Sequence, residues 1–265
     1  MICVIGINLA TPVLWTAVAM GLVIGSFLTA VIDLVLREES VVRSDSVCGS
    51  CGLEVGPFDL LSVLLWLVLG GRCRKCLQPS GVERIIVKIV TVVLFALMAV
   101  HFKSSILVAA FCVFAAGLTG LTVIDLKTKR LPREVSYIVM ALGAPLLVIA
   151  ALIEGESRRI YMALLGSVIA LAVMGVLYAM SRGGLGDGDV RLSPLLGMYL
   201  GWLNPGLALV GLLYGFILGA VIGIMMMIMG RADRQTQLPF GPFLAAGSVM
   251  AIFYGQNLIN VVLGH

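Results

Sequence analysis

The sequence is short of charged residues. Charged side chains make up 12% of its 265 residues, whereas hydrophobic residues make up 60%. A water-soluble domain carries about 25% charged residues, so a fold of this composition lacks the polar surface that it would need in water. Together with a mean hydropathy of +1.11, this shortage indicates that most of the chain is surrounded by lipid.

Histidine is scarce as well, and occurs only as His101 and His265. Neither an HExxH zinc site nor a Ser–His catalytic pair can be built from these two residues. The net charge of +4 is modest, and we expect no nucleic acid partner. The chemistry of the chain must therefore be sought in other side chains.

Long apolar stretches predict about eight transmembrane helices in an all-α polytopic membrane protein. Most of the stretches are near the ~20 residues that a helix needs to cross a bilayer. They cover residues 9–32, 85–102, 105–124, 135–153, 160–180, 190–203, 206–229 and 241–263. The stretch 190–203 is short, and we expect it to be tilted or partly re-entrant. No positive charge precedes the first stretch, so we expect it to be a retained span.

The basic residues fall on one side of this predicted topology. With the N-terminus outside, fifteen of the 18 lysines and arginines lie inside, as the positive-inside rule requires. The three outside are Lys103, Arg158 and Arg159. We therefore expect a multi-pass protein in three parts. These are a first span in residues 1–36, a cytosolic loop in residues 37–84 and a seven-span core in residues 85–265.

Two CxxC pairs in the cytosolic loop predict a structural zinc site. The four cysteines are Cys48, Cys51, Cys73 and Cys76, with 21 residues between the pairs. This spacing is typical of a tetrathiolate zinc site. Disulfides are the alternative, but cytosolic thiols stay reduced. One ion needs both pairs on one side, so we expect the apolar stretch Leu60–Leu69 to be interfacial or packed rather than spanning.

Four aspartates near the predicted spans are candidate functional groups, because ionisable residues in a membrane are unfavourable and are often kept for function. They are Asp33, Asp125, Asp187 and Asp189. Asp125 ends the third span and Asp189 opens the sixth, with two spans between them. An even number of crossings returns the chain to the same side. Asp125 and Asp189 are therefore expected to meet at the cytosolic boundary.

Such a pair of carboxyl groups suits proteolysis. Two carboxylates in one site cannot both ionise easily, so one stays protonated. The neutral acid can polarise a scissile carbonyl while the carboxylate activates a water. A structural interpretation remains open for each residue, since Asp189 also suits a helix N-cap and Asp125 a turn before a proline.

Five motifs resemble the type IV prepilin peptidase family, in the order that the family has. They are Gly25–Leu28, the stretch from Asp59 to Cys73, Ile124–Pro132, Gly184–Leu192 and Leu238–Phe243. The resemblance implies a GxGD aspartic protease in the bacterial inner membrane. It implies cleavage of the basic leader peptide of type IV prepilins or pseudopilins at the cytosolic face. It further implies N-methylation of the product from S-adenosylmethionine, and partners in pilus or type II secretion assembly.

The GxGD pattern fits twice, as Gly184–Asp187 and as Gly186–Asp189. In the family, a basic residue and then a leucine stand at the second and third positions after the catalytic aspartate. Arg191 and Leu192 meet that condition only for Asp189. The resemblance therefore implies Asp125 and Asp189 as the catalytic pair, with Asp187 as the alternative.

The chain departs from the family pattern in its first third, at Thr29, Leu34, Ser62 and Lys88. The protease motifs are nearly intact, so the resemblance implies proteolysis more strongly than methylation. One alternative is a peptidase without methyl transfer. Another is an ion-coupled transporter, although the acids lie at one face rather than at the membrane midplane. A third is a structural protein whose zinc loop docks a pilus assembly factor.

Overall fold

The computed structural model describes residues 12–36, 82–129, 131–181, 184–230 and 239–263. These residues form eight α-helices and no strand, which confirms the predicted all-α class for the described part of the chain. The helices are α1 (Pro12–Leu36), α2 (Val82–His101), α3 (Ser105–Thr128), α4 (Arg133–Glu154), α5 (Arg158–Met180), α6 (Asp187–Leu203), α7 (Pro205–Ile228) and α8 (Gly241–Leu263).

Seven of these helices are long and apolar enough to cross a membrane, so the chain is a multi-pass membrane protein. The exception within the described ranges is α6, which has 17 residues and begins with two aspartates in its first turn. It corresponds to the stretch that the sequence marks as short. The four cysteines of the predicted zinc site and the stretch Leu60–Leu69 lie outside the described residues.

The chain divides into two compact units, one ending at Val108 and the other beginning at Ala109. In the first unit, α1 packs along α2. The contact is close because α1 has glycine where it meets α2. A Cβ atom on Gly25 would lie 3.1 Å from the Cα of Lys88. Small residues at such a contact are typical of helix packing in membranes.

In the second unit, α6 is the central helix and packs against α4, α5, α7 and α8. Its aromatic side chains Tyr199 and Trp202 are fully buried. The ring of Tyr199 stacks on Phe114 of α3, with 4.3 Å between the ring centroids. A Cβ atom on Gly201 would lie 2.6 Å from the carbonyl oxygen of Met162, so the backbones of α5 and α6 approach closely.

Individual residues mark the end of α4 and the start of α7, two helices that pack against α6. Gly155 ends α4 with φ 69°, a left-handed conformation that glycine adopts without strain. Asn204 precedes α7, and its side chain accepts a hydrogen bond of 2.9 Å from the amide of Gly206. Pro205 occupies the first turn of α7, where its missing N–H leaves no helical bond unmade.

The outward faces of the helices are apolar. Ile228 and Val261 are 81% and 79% exposed, whereas Leu207 and Ile252 in the same two helices are buried. Large exposed apolar faces of this kind are explained by a lipid surrounding. Cys112 is buried on α3.

Candidate active site

Two buried carboxyl groups meet at one end of the second unit. Asp125 stands in the last turn of α3 and is 4% exposed, and Asp189 stands in the first turn of α6 and is 6% exposed. The α4–α5 pair returns the chain between them, as the sequence predicts. Leu131 lies against both Gly188, which precedes Asp189, and Gly241, which donates to Asp125, so the two carboxyl groups belong to one site.

Asp125 is held by the start of the last helix. The backbone amide of Gly241 donates a buried hydrogen bond of 2.9 Å to Asp125 Oδ2. Gly241 is the first residue of α8, where backbone N–H groups have no partner within their own helix. The carboxylate therefore satisfies a donor that the helix leaves over, at the end where the helix dipole favours a negative charge.

Glycines make room around both carboxyl groups. A Cβ atom on Gly241 would lie 2.8 Å from Asp125 Oδ2, and one on Gly186 would lie 3.0 Å from Asp189 Oδ2. The first distance is shorter than a carbon and an oxygen that are not bonded can maintain, and the second is tighter than an ordinary van der Waals contact. The glycine of the GxGD pattern at position 186 thus leaves space for the catalytic candidate three residues later.

Leu131 connects the segments that carry the two aspartates. A Cβ atom on Gly188 would lie 2.8 Å from Leu131 Cβ, and one on Gly241 would lie 3.4 Å from Leu131 Cδ1. Gly188 precedes Asp189, and Gly241 is the donor to Asp125. The side chain of Leu131 therefore contacts the neighbour of each carboxyl group, and the lack of side chains at the two glycines is what lets it fit.

No described lysine or arginine forms an ion pair with either buried carboxyl group. Two carboxylates that share a low-dielectric site without a cation repel each other, and sharing one proton relieves the repulsion. One group is then a proton donor and the other a base. An arrangement of this kind can activate a water molecule and polarise a carbonyl group.

Asp187, the alternative of the two GxGD matches, has a different environment. Its carboxylate forms an ion pair of 2.6 Å with Arg191 one turn along α6, and the side chains of Arg191 and Asp187 are 41% and 57% exposed. Asp187 thus faces outward with a cation, whereas Asp189 is buried beside Asp125. The structure brings together Asp125 and Asp189, and leaves Asp187 outside that pair.

The sequence motifs contain two residues of this site to which the sequence assigns no task, Leu131 and Gly241. Both stand in motifs that carry the family resemblance, and that resemblance was the only signal for them. Asp33 lies in α1, but its side chain is outside the described part. Within the residues that the structure describes, no group of three or more His, Cys, Asp or Glu could hold a metal ion.

The far end of α6 is built differently. There the α4–α5 connection and the end of α6 line an open cavity of about 520 Å³, with residues that include Glu156, Arg159 and Trp202. Glu156 pairs with Arg159, and both side chains are partly exposed. The guanidinium of Arg159 lies over the ring of Trp202, 5.8 Å from its centroid. Glu156, the acidic residue in the lining of this cavity, thus has a basic partner.

Two family models match the chain. The bacterial peptidase A24 N-terminal domain matches residues 19–102, and the type IV leader peptidase family matches residues 112–228. The second match contains both buried aspartates, and the first contains the four cysteines of the two CxxC pairs. No solved structure gives a significant match.

Curated relatives extend the similarity over most of the chain. A Bacillus subtilis (strain 168) protein is 28% identical over 240 residues, which cover 91% of this chain and 94% of the relative. A Pseudomonas aeruginosa protein is 27% identical over 274 residues, with 93% and 92% covered. A Myxococcus xanthus protein is 32% identical over 225 residues, with 82% and 64% covered. All three are named prepilin leader peptidase/N-methyltransferase. With both of its domains matched, and with the buried aspartate pair inside the peptidase domain, this chain belongs to the type IV leader peptidase family.

Proposed function

We propose that the protein is a membrane aspartic endopeptidase that cleaves the basic leader peptide of type IV prepilins or pseudopilins. The observation that carries this proposal is the pair of buried carboxyl groups, Asp125 and Asp189, supplied by different helices and without a described cation beside them. Burying two carboxylates is unfavourable for stability alone. A shared proton turns the same arrangement into an acid and a base that act on one peptide bond.

The distribution of basic residues supports a cytosolic position for this site. With Asp125 and Asp189 on the side where fifteen of the 18 lysines and arginines lie, the positive-inside rule places them at the cytosolic face. A basic leader stays in the cytosol under the same rule, and the apolar stem of a prepilin enters the bilayer. The scissile bond between leader and stem then lies at the level of the two aspartates.

Methyl transfer is the second activity that we propose. The names of the relatives include N-methyltransferase, and the reaction would place a methyl group from S-adenosylmethionine on the new N-terminal amine. We assign no described residue to that cofactor. The chain departs from the family pattern at Thr29, Leu34, Ser62 and Lys88 while its protease motifs are nearly intact, so methylation is tested separately from proteolysis below.

We further propose that Cys48, Cys51, Cys73 and Cys76 bind one structural zinc ion. Four thiolates are a donor set that Zn²⁺ prefers, and their spacing lets two CxxC turns share one ion. Metal analysis of the purified protein tests this assignment. One zinc per chain, lost in Cys48→Ser, is the expected result, and a chain without zinc would refute the proposed site.

Pilus or type II secretion assembly machinery is the partner that we propose for the enzyme.

Cleavage of a prepilin in membranes tests the function directly. The mass of the product's N-terminus is measured for the wild type, for Asp189→Asn and for Asp187→Asn. We expect a shortened product from the wild type and from Asp187→Asn, and none from Asp189→Asn. Asp187→Asn is the matched control, because it makes the same chemical change two residues away on an exposed side chain.

The same spectra report methylation, because a methyl group adds a defined mass to the new N-terminus. A product of unmethylated mass supports the peptidase without methyl transfer. Equal cleavage by Asp189→Asn and the wild type would refute the aspartate pair, and uncut prepilins in every sample would favour the transporter or docking interpretation.

A further inference from the structure

The motif Leu238–Phe243 carries the family resemblance and contains Gly241, the donor to Asp125, but none of its side chains takes part in the chemistry described above. Its second half is the start of α8, and three of its residues make contacts that the structure describes. Phe240 packs on Phe216 of α7, with 4.9 Å between ring centroids. The amides of Phe243 and Leu244 both donate to the carbonyl of Phe240, which closes the first turn of the helix.

These contacts fix the direction of one amide. Pro242 follows Gly241 and has no N–H of its own, so the Gly241 amide is the donor at this point of the first turn. That amide points at Asp125 Oδ2 over 2.9 Å. The contact of Phe240 with α7 fixes the first turn of α8. That turn, through the Gly241 amide, holds Oδ2 of Asp125 at the end of α3.

The space around position 241 has no room for a side chain. A Cβ atom on residue 241 would lie 2.8 Å from Asp125 Oδ2 and 3.4 Å from Leu131 Cδ1. Any side chain at this position would therefore push the carboxylate away from the amide, or move α8 away from the site. The hydrogen bond uses one oxygen of Asp125, so the other oxygen remains available for the reaction.

We infer that Gly241 is a positioning residue of the aspartate pair: its amide fixes the Asp125 carboxylate, and its missing side chain leaves the carboxylate room. This inference rests on the proposed function, because it concerns how the catalytic aspartate is held. Gly241 touches no substrate in this assignment. It acts through Asp125, and the contacts of Phe240 position the Gly241 amide for its hydrogen bond.

The first test compares Gly241→Ala with Gly247→Ala in the full-length protein in membranes. Gly247 lies on the same helix, and a Cβ atom there would lie 2.6 Å from the carbonyl oxygen of Gly211; its three nearest neighbours are backbone atoms of α7 and not atoms of either aspartate. Both changes disturb packing, but only Gly241→Ala meets a carboxylate. We expect Gly241→Ala to lower kcat about 100-fold with little change in KM, since a displacement of about 1 Å costs a factor of that order.

Gly247→Ala is expected to lower thermal stability while its folded fraction keeps a kcat near that of the wild type. A Gly241→Ala enzyme with wild-type kcat would overturn the inference, and so would an equal loss of kcat in both variants. If the wild type itself cleaves no prepilin, the proposed function fails. The contact between position 241 and Asp125 is then tested by thermal unfolding, which needs no measurement of cleavage.

The second test measures thermal unfolding in a double-mutant cycle with Asp125→Ala, which removes the carboxylate that a methyl group at position 241 would meet. We expect Gly241→Ala to lower Tm less in the Asp125→Ala background than in the wild type. If Gly241→Ala alone fails to accumulate, the double variant should accumulate. Gly247→Ala should lower Tm equally in both backgrounds. Equal losses for Gly241→Ala in both backgrounds would show that a side chain at position 241 and the Asp125 carboxylate are not coupled, and would overturn the inference.

Discussion

The buried aspartate pair at the first end of α6 contrasts with the acidic side chain that lines the cavity at its other end. At the first end, Asp189 is 6% exposed, lies beside Asp125 and has no described basic partner. At the other end, Glu156 is partly exposed and is paired with Arg159. An exposed pair needs no function to explain it, because it loses little solvation. A buried, uncompensated pair of acids lowers stability, and its retention points to chemistry.

The same contrast appears within one turn of helix. Asp187 and Asp189 are two residues apart in the first turn of α6, so both benefit equally from the helix dipole. They differ in direction: Asp187 faces outward to Arg191, and Asp189 faces inward to Asp125. The GxGD pattern alone fits both residues; the following Arg191 and Leu192 favour Asp189 in the sequence, and burial favours Asp189 in the structure.

Among the changes that test this difference between the two ends of α6, replacement of Asp125 is expected to have the largest effect. Asp125→Asn keeps the shape of the side chain and removes the group that ionises. We expect cleavage to be abolished while the protein remains in the membrane, because the pair can no longer supply both an acid and a base. Cleavage of a prepilin, normalised to the amount of protein in the membrane, measures the effect. Retained cleavage would mean that Asp125 is a structural residue.

A smaller effect is expected for Leu131→Ala. Leu131 contacts Gly188 and Gly241, the neighbours of the two aspartates. Its loss loosens the spacing of the pair without removing a reacting group, so we expect kcat to fall about tenfold, less than for a misplaced catalytic group. Because the side chain is half-buried, the change should also lower stability by about 1–2 kcal/mol. Steady-state kinetics and thermal unfolding measure the two effects, and an unchanged kcat would show that Leu131 does not set the spacing.

The smallest effect is expected at the other end of α6. Glu156→Gln removes the ion pair with Arg159 by the same carboxylate-to-amide change as Asp125→Asn. An exposed pair contributes about 0.2–1 kcal/mol, so we expect a small loss of stability and unchanged cleavage. A large loss of cleavage in this variant would show that the acid at this end of α6 also contributes to activity, contrary to the difference drawn above.

Much of the fold could be predicted from hydropathy, with errors where a helix has a polar end. The predicted span 241–263 matches α8, and 206–229 matches α7 to within one residue. By contrast, α6 begins at Asp187 rather than 190, and α3 runs to Thr128 rather than 124. The added turns contain Asp, Gly, Lys and Thr, which an apolar window omits, although their backbones continue the helical hydrogen bonds.

The candidate site was predictable in part. Counting two spans between Asp125 and Asp189 was enough to expect them on one side. The bond from Gly241 to Asp125 joins residues 116 positions apart and uses a backbone amide. Every residue except proline has such an amide, so no pattern of side chains indicates which one is used. Only the packing of α8 in three dimensions identifies the donor.

The bond between Gly241 and Asp125 also has a consequence for the order in which the site is completed. Synthesis proceeds from the N-terminus, so both aspartates exist before the ribosome reaches the last helix. A nascent chain, or one cut short after α7, carries both carboxyl groups but lacks the amide that fixes one of them. The aspartate pair is thus ordered by a segment made after both aspartates, and the site reaches its final geometry only after α8 has entered the membrane.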